Sequence, residues 1–313
     1  MGNVPATETF DGTYPFKANF TNAPGFRMHY VDEGEGEPIF LVHGFPTWSY
    51  LYRNYIPPLS RKYRVIAPDH MGYGKSDSPR GRDYTFDGHS RNFDKFILDL
   101  DLKDITLVLH DIGGPIGAGF AFRHPDRIKR LVIQNTVMLG IDLEFENSLL
   151  AGPENAAPYL MWIAEKHAQG VFQTMYDNMD TTLGGLFVKL PLLAKTPWTP
   201  LMDKAYTAPF KEKEHRAAVE EQARQVYIPL IEGKGVPYVE QPSPEVIEKL
   251  RAKPKFMVCG MKDLAVMPQV TIRIFKHQFP GAPVVELPQS AHFVPEDAHE
   301  AIVGMIDLFM QMT

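Results

Sequence analysis

Apolar residues recur along this chain in two alternating rhythms. Short, largely β-branched runs are Pro38–His43 (PIFLVH), Tyr63–Ala67, Ile105–Leu109, Leu131–Asn135, Lys255–Cys259 (KFMVC) and Pro283–Leu287. Each ends in a loop rich in Gly, Pro, Asp or His, which reads as a buried strand running into a turn. Between them lie helical spacings: Phe86–Leu102, with Phe93, Phe96, Ile97 and Leu100 on one face, then Ile116–Arg123, Pro244–Lys253, Thr271–Gln278 and Glu296–Met310. Phe26–Val31 alternates as an edge strand, Glu33–Gly36 reads as a hairpin turn, and residues 1–24 as an extended arm. Trp48–Ile56 is helix-like and should stop at Pro57-Pro58. Strands alternating with helices at this spacing predict an α/β fold, a mostly parallel sheet covered on both faces.

The rhythm breaks at Val137–Leu139. From 140 to 227 no strand-like run occurs, and Met, Pro and aromatics are frequent. This predicts a helical cap (140–227) inserted into one core domain (1–139 and 228–313), lying over the C-terminal strand ends, where open α/β sheets bind ligands. The chain has 313 residues, a formal net charge of -6 and no basic run, which argues against nucleic acid as a partner. Cys259 is the single cysteine, no secretory signal is visible, and no apolar run approaches the roughly 20 residues of a spanning helix. A cytoplasmic protein without membrane contact is expected. No His/Cys/Glu cluster has metal-ligand spacing, so neither metal nor cofactor is expected.

The chemistry centres on ITLVLHDIGGPIG (Ile105–Gly117). A buried strand entering a Gly-rich turn and then a helix is the setting of a nucleophile elbow, with Asp111 at the tip in place of serine. No G-x-S-x-G occurs in the chain, which removes a serine esterase. A carboxylate beside a helix N-terminus stays ionised and can attack carbon. Asp263 and His292 each follow a later strand. The order nucleophile, acid, histidine is that of the α/β-hydrolase fold. His292 would serve as base and Asp263 would hold its tautomer. Backbone N–H groups of Phe45 and Ile112 would form the oxyanion hole. His43, His110, Asp69 and Asp77 are read as structural.

HGFPTWSYLYR (His43–Arg53), VIAPDHMGYGKSD (Val65–Asp77), HDIGGPIG (His110–Gly117), YTAPF (Tyr206–Phe210), GMKD (Gly260–Asp263) and AHFVPE (Ala291–Glu296) resemble haloalkane dehalogenases; epoxide hydrolases, close relatives, share the HGFP, the HD-x-G elbow and the order of the triad. The resemblance implies a cofactor-free hydrolase working through an alkyl ester on Asp111, with a small apolar electrophile and water as partners, and a monomer or small homo-oligomer. It also exposes a departure. Dehalogenases typically carry, directly after the nucleophile, a Trp whose indole N–H binds the departing halide; here Ile112 stands there, and Phe45 stands where some subfamilies present an Asn. Trp48, Trp162 and Trp198 are the remaining indoles. An epoxide would instead need proton donors, for which Tyr159 and Tyr176 are the candidates. A receptor that keeps the fold without turnover is the alternative of another class.

Overall fold

The computed structural model describes residues 4–150, 165–166, 169–170, 193–222 and 239–313. One eight-stranded sheet runs through them in the order β1-β2-β4-β3-β5-β6-β7-β8. The strands are β1 (Asn19–Thr21), β2 (Met28–Glu33), β3 (Pro38–Val42), β4 (Arg64–Pro68), β5 (Ile105–His110), β6 (Ile128–Gln134), β7 (Lys255–Gly260) and β8 (Val284–Leu287). The first two pair antiparallel, and β2 also lies antiparallel to β4. All remaining pairs are parallel.

The two central strands, β3 and β5, are buried at every residue, which is why their sequences read as continuous apolar runs rather than alternating ones. Helices Phe86–Asp99 and Gly113–Arg123 pack on each other beside them. The parallel strands share one direction, so the loops after β3, β5, β6, β7 and β8 all emerge at one end of the sheet. That edge carries Phe45, Asp111, Asn135-Thr136, Asp263 and His292.

Local differences from the sequence reading have identifiable causes. Pro57-Pro58 sits inside a single helical turn, Ile56–Leu59, instead of ending a helix, because the N–H groups of the first turn have no intrahelical partner and proline loses nothing there. The stretch before it is a short 3₁₀ turn, Ser49–Tyr52. The elbow helix starts at Gly113, three residues before the expected Ile116, and the helix after β7 starts at Pro268 rather than Thr271. The last helix is split into Val294–Asp297 and His299–Met312 by Ala298, whose backbone (φ -144°) leaves the helical region. Within 140–227, the described helices are Leu143–Leu150, Pro200–Thr207 and Ala217–Gln222, and no strand occurs among the described residues there. No helix among the described residues is long and apolar enough to cross a membrane.

Candidate active site

Asp111 sits at the tip of a strained turn. Its φ is 52°, a left-handed conformation that a non-glycine residue adopts at a cost. Two neighbours explain how the turn holds. A Cβ on Gly113 would strike the Val42 carbonyl, and one on Gly114 would strike the Thr136 hydroxyl. The Thr136 hydroxyl donates to the Asp111 carbonyl (2.5 Å) and braces the tip from β6.

The Asp111 carboxylate points at the His292 ring. Oδ1 accepts the Phe45 N–H (2.5 Å), and Oδ2 lies 3.3 Å from His292 Nε2. The Gly44 side of the loop approaches so closely that any Cβ would overlap the Asp111 side chain, which is why the residue before Phe45 has none. On the far side of the ring, His292 Nδ1 donates to Asp263 Oδ2 (2.8 Å). That same oxygen accepts Asn135 Nδ2 (2.6 Å), while Oδ1 accepts the N–H groups of Ala265 (2.7 Å) and Val266 (3.0 Å). Asn135 is itself fixed, because its Oδ1 accepts the Gly260 N–H (2.9 Å). Its bracing role and that of Thr136 were not expected from the sequence; the signal available was an Asn-Thr pair leaving β6 at the same edge as the other loops.

Burial and charge act against each other here. Burial alone would lift the Asp111 carboxyl, but the hydrogen bond and charge of His292, with the Ile112 N–H, hold it below the ordinary carboxylate range. Burial alone would lower the His292 imidazole; the Asp263 and Asp111 carboxylates outweigh it and raise the ring to about 10. The neighbouring His110, whose Nε2 contacts the His292 carbonyl (2.9 Å), is pushed down to about 4 by burial and by the charge of His292. One imidazole of the pair therefore carries the charge.

The other expected residues are placed as follows. Ile112 is buried and apolar, and its backbone N–H turns to the carboxylate. Trp48 is fully buried, but its indole N–H donates to the Ala205 carbonyl (3.0 Å), so it is committed and offers nothing to a leaving group. The Trp198 indole N–H is buried with no partner among the described residues, and its ring stacks on Tyr206 (5.7 Å between centroids), which in turn stacks near-parallel with Phe293. Tyr159, Trp162 and Tyr176 lie outside the described residues. Among the described residues the His43 ring bonds main chain alone, accepting the His70 N–H (3.0 Å) at Nε2 and meeting the Gly44 carbonyl at Nδ1. Asp69 accepts the N–H groups of Ser49 and Lys75 and shapes the loop after β4. Cys259 is buried and its thiol is pushed up to about 12, which leaves it inert. No group of three or more metal-ligating side chains forms among the described residues.

A family model for the alpha/beta hydrolase fold matches residues 37–298. The chain belongs to the alpha/beta hydrolase fold family. It is 31% identical over 306 residues to a cis-3-alkyl-4-alkyloxetan-2-one decarboxylase of Shewanella oneidensis, spanning 97% of this chain and 91% of the relative. It is 31% identical to haloalkane dehalogenase 2 of Mycobacterium tuberculosis, spanning 94% of each. The tetrameric haloalkane dehalogenase DpaA of Paraglaciecola agarilytica superposes with a TM-score of 0.70 at 26% identity, covering 94% of this chain and 92% of that one. The motif resemblance to haloalkane dehalogenases thus recurs over nearly the whole chain, and the chain is a hydrolase of this family.

Proposed function

We propose that this hydrolase displaces a weakly basic leaving group from saturated carbon through a covalent ester on Asp111, in the manner of a haloalkane dehalogenase. One observation carries the reading: a carboxylate kept ionised at the end of the central strand, with one oxygen on the Phe45 N–H and the other facing His292 Nε2. In the first step an Asp111 oxygen bonds to carbon, and the carbon–leaving-group bond breaks with its electron pair going to the leaving group. Ester formation removes the Asp111 charge. His292 then faces one carboxylate instead of two, so it releases its proton to solvent and becomes a base. In the second step it takes a proton from water, the oxygen of which attacks the Asp111 carbonyl carbon. The N–H groups of Phe45 and Ile112 stabilise the resulting oxyanion. Collapse releases the alcohol and restores the carboxylate.

Leaving-group basicity favours a halide over an epoxide oxygen. An alkoxide needs a proton as it departs. Among the described residues, the hydroxyls of Tyr52, Tyr55 and Tyr206 are engaged with Val42, Gln134 and Glu296. We assign residues 140–227 to a cap that encloses the substrate and excludes bulk water, in keeping with the Pro200–Thr207 helix, whose Met202, Ala205 and Tyr206 join the buried core. The substrate would be a small apolar electrophile, no cofactor takes part, and a small homo-oligomer is in keeping with the tetrameric relative. The test is a His292→Phe variant incubated separately with n-butyl bromide, styrene oxide and a cis-dialkyl β-lactone. The reading expects a mass gain on the Asp111 peptide with the bromide. A gain with styrene oxide alone would select epoxide opening, and binding without any gain would select a receptor.

A further inference from the structure

The helix that follows His292 carries two buried acids, Glu296 and Asp297, that the chemistry above does not use. Asp297 is the more unusual. Its carboxylate accepts four main-chain N–H groups: Ala194 (3.0 Å) and Ala291 (2.9 Å) at Oδ2, Lys195 (3.0 Å) and Thr196 (2.9 Å) at Oδ1. No Lys or Arg pairs with it among the described residues. A buried carboxylate held only by N–H groups depends on all of them being in place. Three of the donors are consecutive residues of the segment assigned above to the cap. The fourth belongs to the residue immediately before His292. Glu296 reinforces the joint, since it pairs with Arg53 (2.5 Å and 2.9 Å) and accepts the Tyr206 hydroxyl (2.5 Å), while its carbonyl accepts the Thr196 hydroxyl (2.9 Å).

We propose that Asp297 is a positioning residue that couples the 194–196 segment to the His292 loop, so that His292 is aligned for ester hydrolysis only when that segment is seated. The turnover arm rests on the Asp111-ester reading; the coupling itself does not. The carboxylate takes hold of both partners at once. Withdrawing the three N–H groups strips a buried anion of most of its support and loosens its grip on Ala291. The formation of the ester, which needs Asp111 and not a base, should be far less sensitive.

Two variants test this. Asp297→Asn keeps the shape but turns an NH₂ toward N–H donors. Thr196→Pro deletes, from the far side of the joint, one of the four N–H groups on the carboxylate together with the hydroxyl bond to the Glu296 carbonyl, and changes no charge. Both are assayed with n-butyl bromide for ester formation and ester hydrolysis, and by NMR for the downfield His292 Nδ1–H resonance without substrate. In each variant we expect hydrolysis to slow roughly 10-fold to 100-fold, the size of losing a charge-assisted bond, with ester accumulating, and the resonance to broaden. Hydrolysis and resonance unchanged in both variants would overturn the proposal, as would an effect of Asp297→Asn with none from Thr196→Pro. Should Asp297→Asn fail to fold, Thr196→Pro decides. A wild type that forms no ester refutes the functional reading, while the resonance still decides the coupling.

Discussion

Replacing Asp263 by Asn should stop the second half of the reaction while sparing the first. Both oxygens of Asp263 are saturated with donors: Ala265 and Val266 N–H on Oδ1, Asn135 Nδ2 and His292 Nδ1 on Oδ2. An amide must therefore turn its NH₂ toward one pair. Facing the backbone pair leaves two fixed N–H groups without acceptors, at about 1–3 kcal/mol each. Facing the His292 side costs less, because the imidazole can move its proton from Nδ1 to Nε2. Asn135 cannot give way as easily, since its Oδ1 is held by Gly260 N–H. The preferred arrangement thus puts a proton on Nε2, the nitrogen that must accept one from water. An Asp→Asn change that locks the wrong tautomer costs about 10,000-fold in turnover, or roughly 5 kcal/mol. The assay is a single turnover with n-butyl bromide in which the Asp111 ester is quantified against time by peptide mass. Ester should form at nearly the wild-type rate and persist. Hydrolysis within about tenfold of wild type would refute the tautomer argument.

Other outcomes follow from neighbouring contacts. Ile112→Trp should raise turnover of n-butyl bromide by up to roughly 100-fold, the worth of one donor to a developing anion; unchanged halide release would count against the missing-donor account. Gly44→Ala puts a methyl group into the Asp111 side chain and should abolish ester formation, with a fall in melting temperature also expected; near-normal alkylation would show that the loop yields. Stability should carry the sign of a raised histidine. His292 contributes fully below its ordinary value near 6.5 and loses that contribution as pH rises through about 10, readable in urea unfolding against pH. Asp111→Asn should bring the His292 ring titration down by removing one of its two carboxylates; an NMR titration that does not move would contradict the proposed charge coupling.

The sequence carried the sheet, the elbow and the places of Asp111, Asp263 and His292 at one edge because each depends on local signals: an apolar run, adjacent glycines, and a polar residue just past a strand end. The β5 elbow is the clearest case, since only glycine fits at Gly113 and Gly114. What escaped was side-chain commitment. Nothing local says that the Trp48 indole spends its N–H on Ala205, 157 residues away, or that Asp297 adds to the nearby Ala291 N–H three more from the distant 194–196 segment. Helix starts were misplaced where proline sits in the first turn rather than ending a helix, as at Pro57 and Pro268. The position of Asn135-Thr136 after β6 was readable but its bracing contacts were not, because they depend on what β5 and β7 place beside it.

The most direct test of the covalent carboxylate is a single turnover in heavy-oxygen water, with enzyme in excess over n-butyl bromide. If water attacks the Asp111 carbonyl, the heavy atom enters the Asp111 peptide and the released butanol carries ordinary oxygen drawn from the side chain. Heavy oxygen in the butanol with none in Asp111 would mean that water attacks the substrate itself, and the ester account would be wrong.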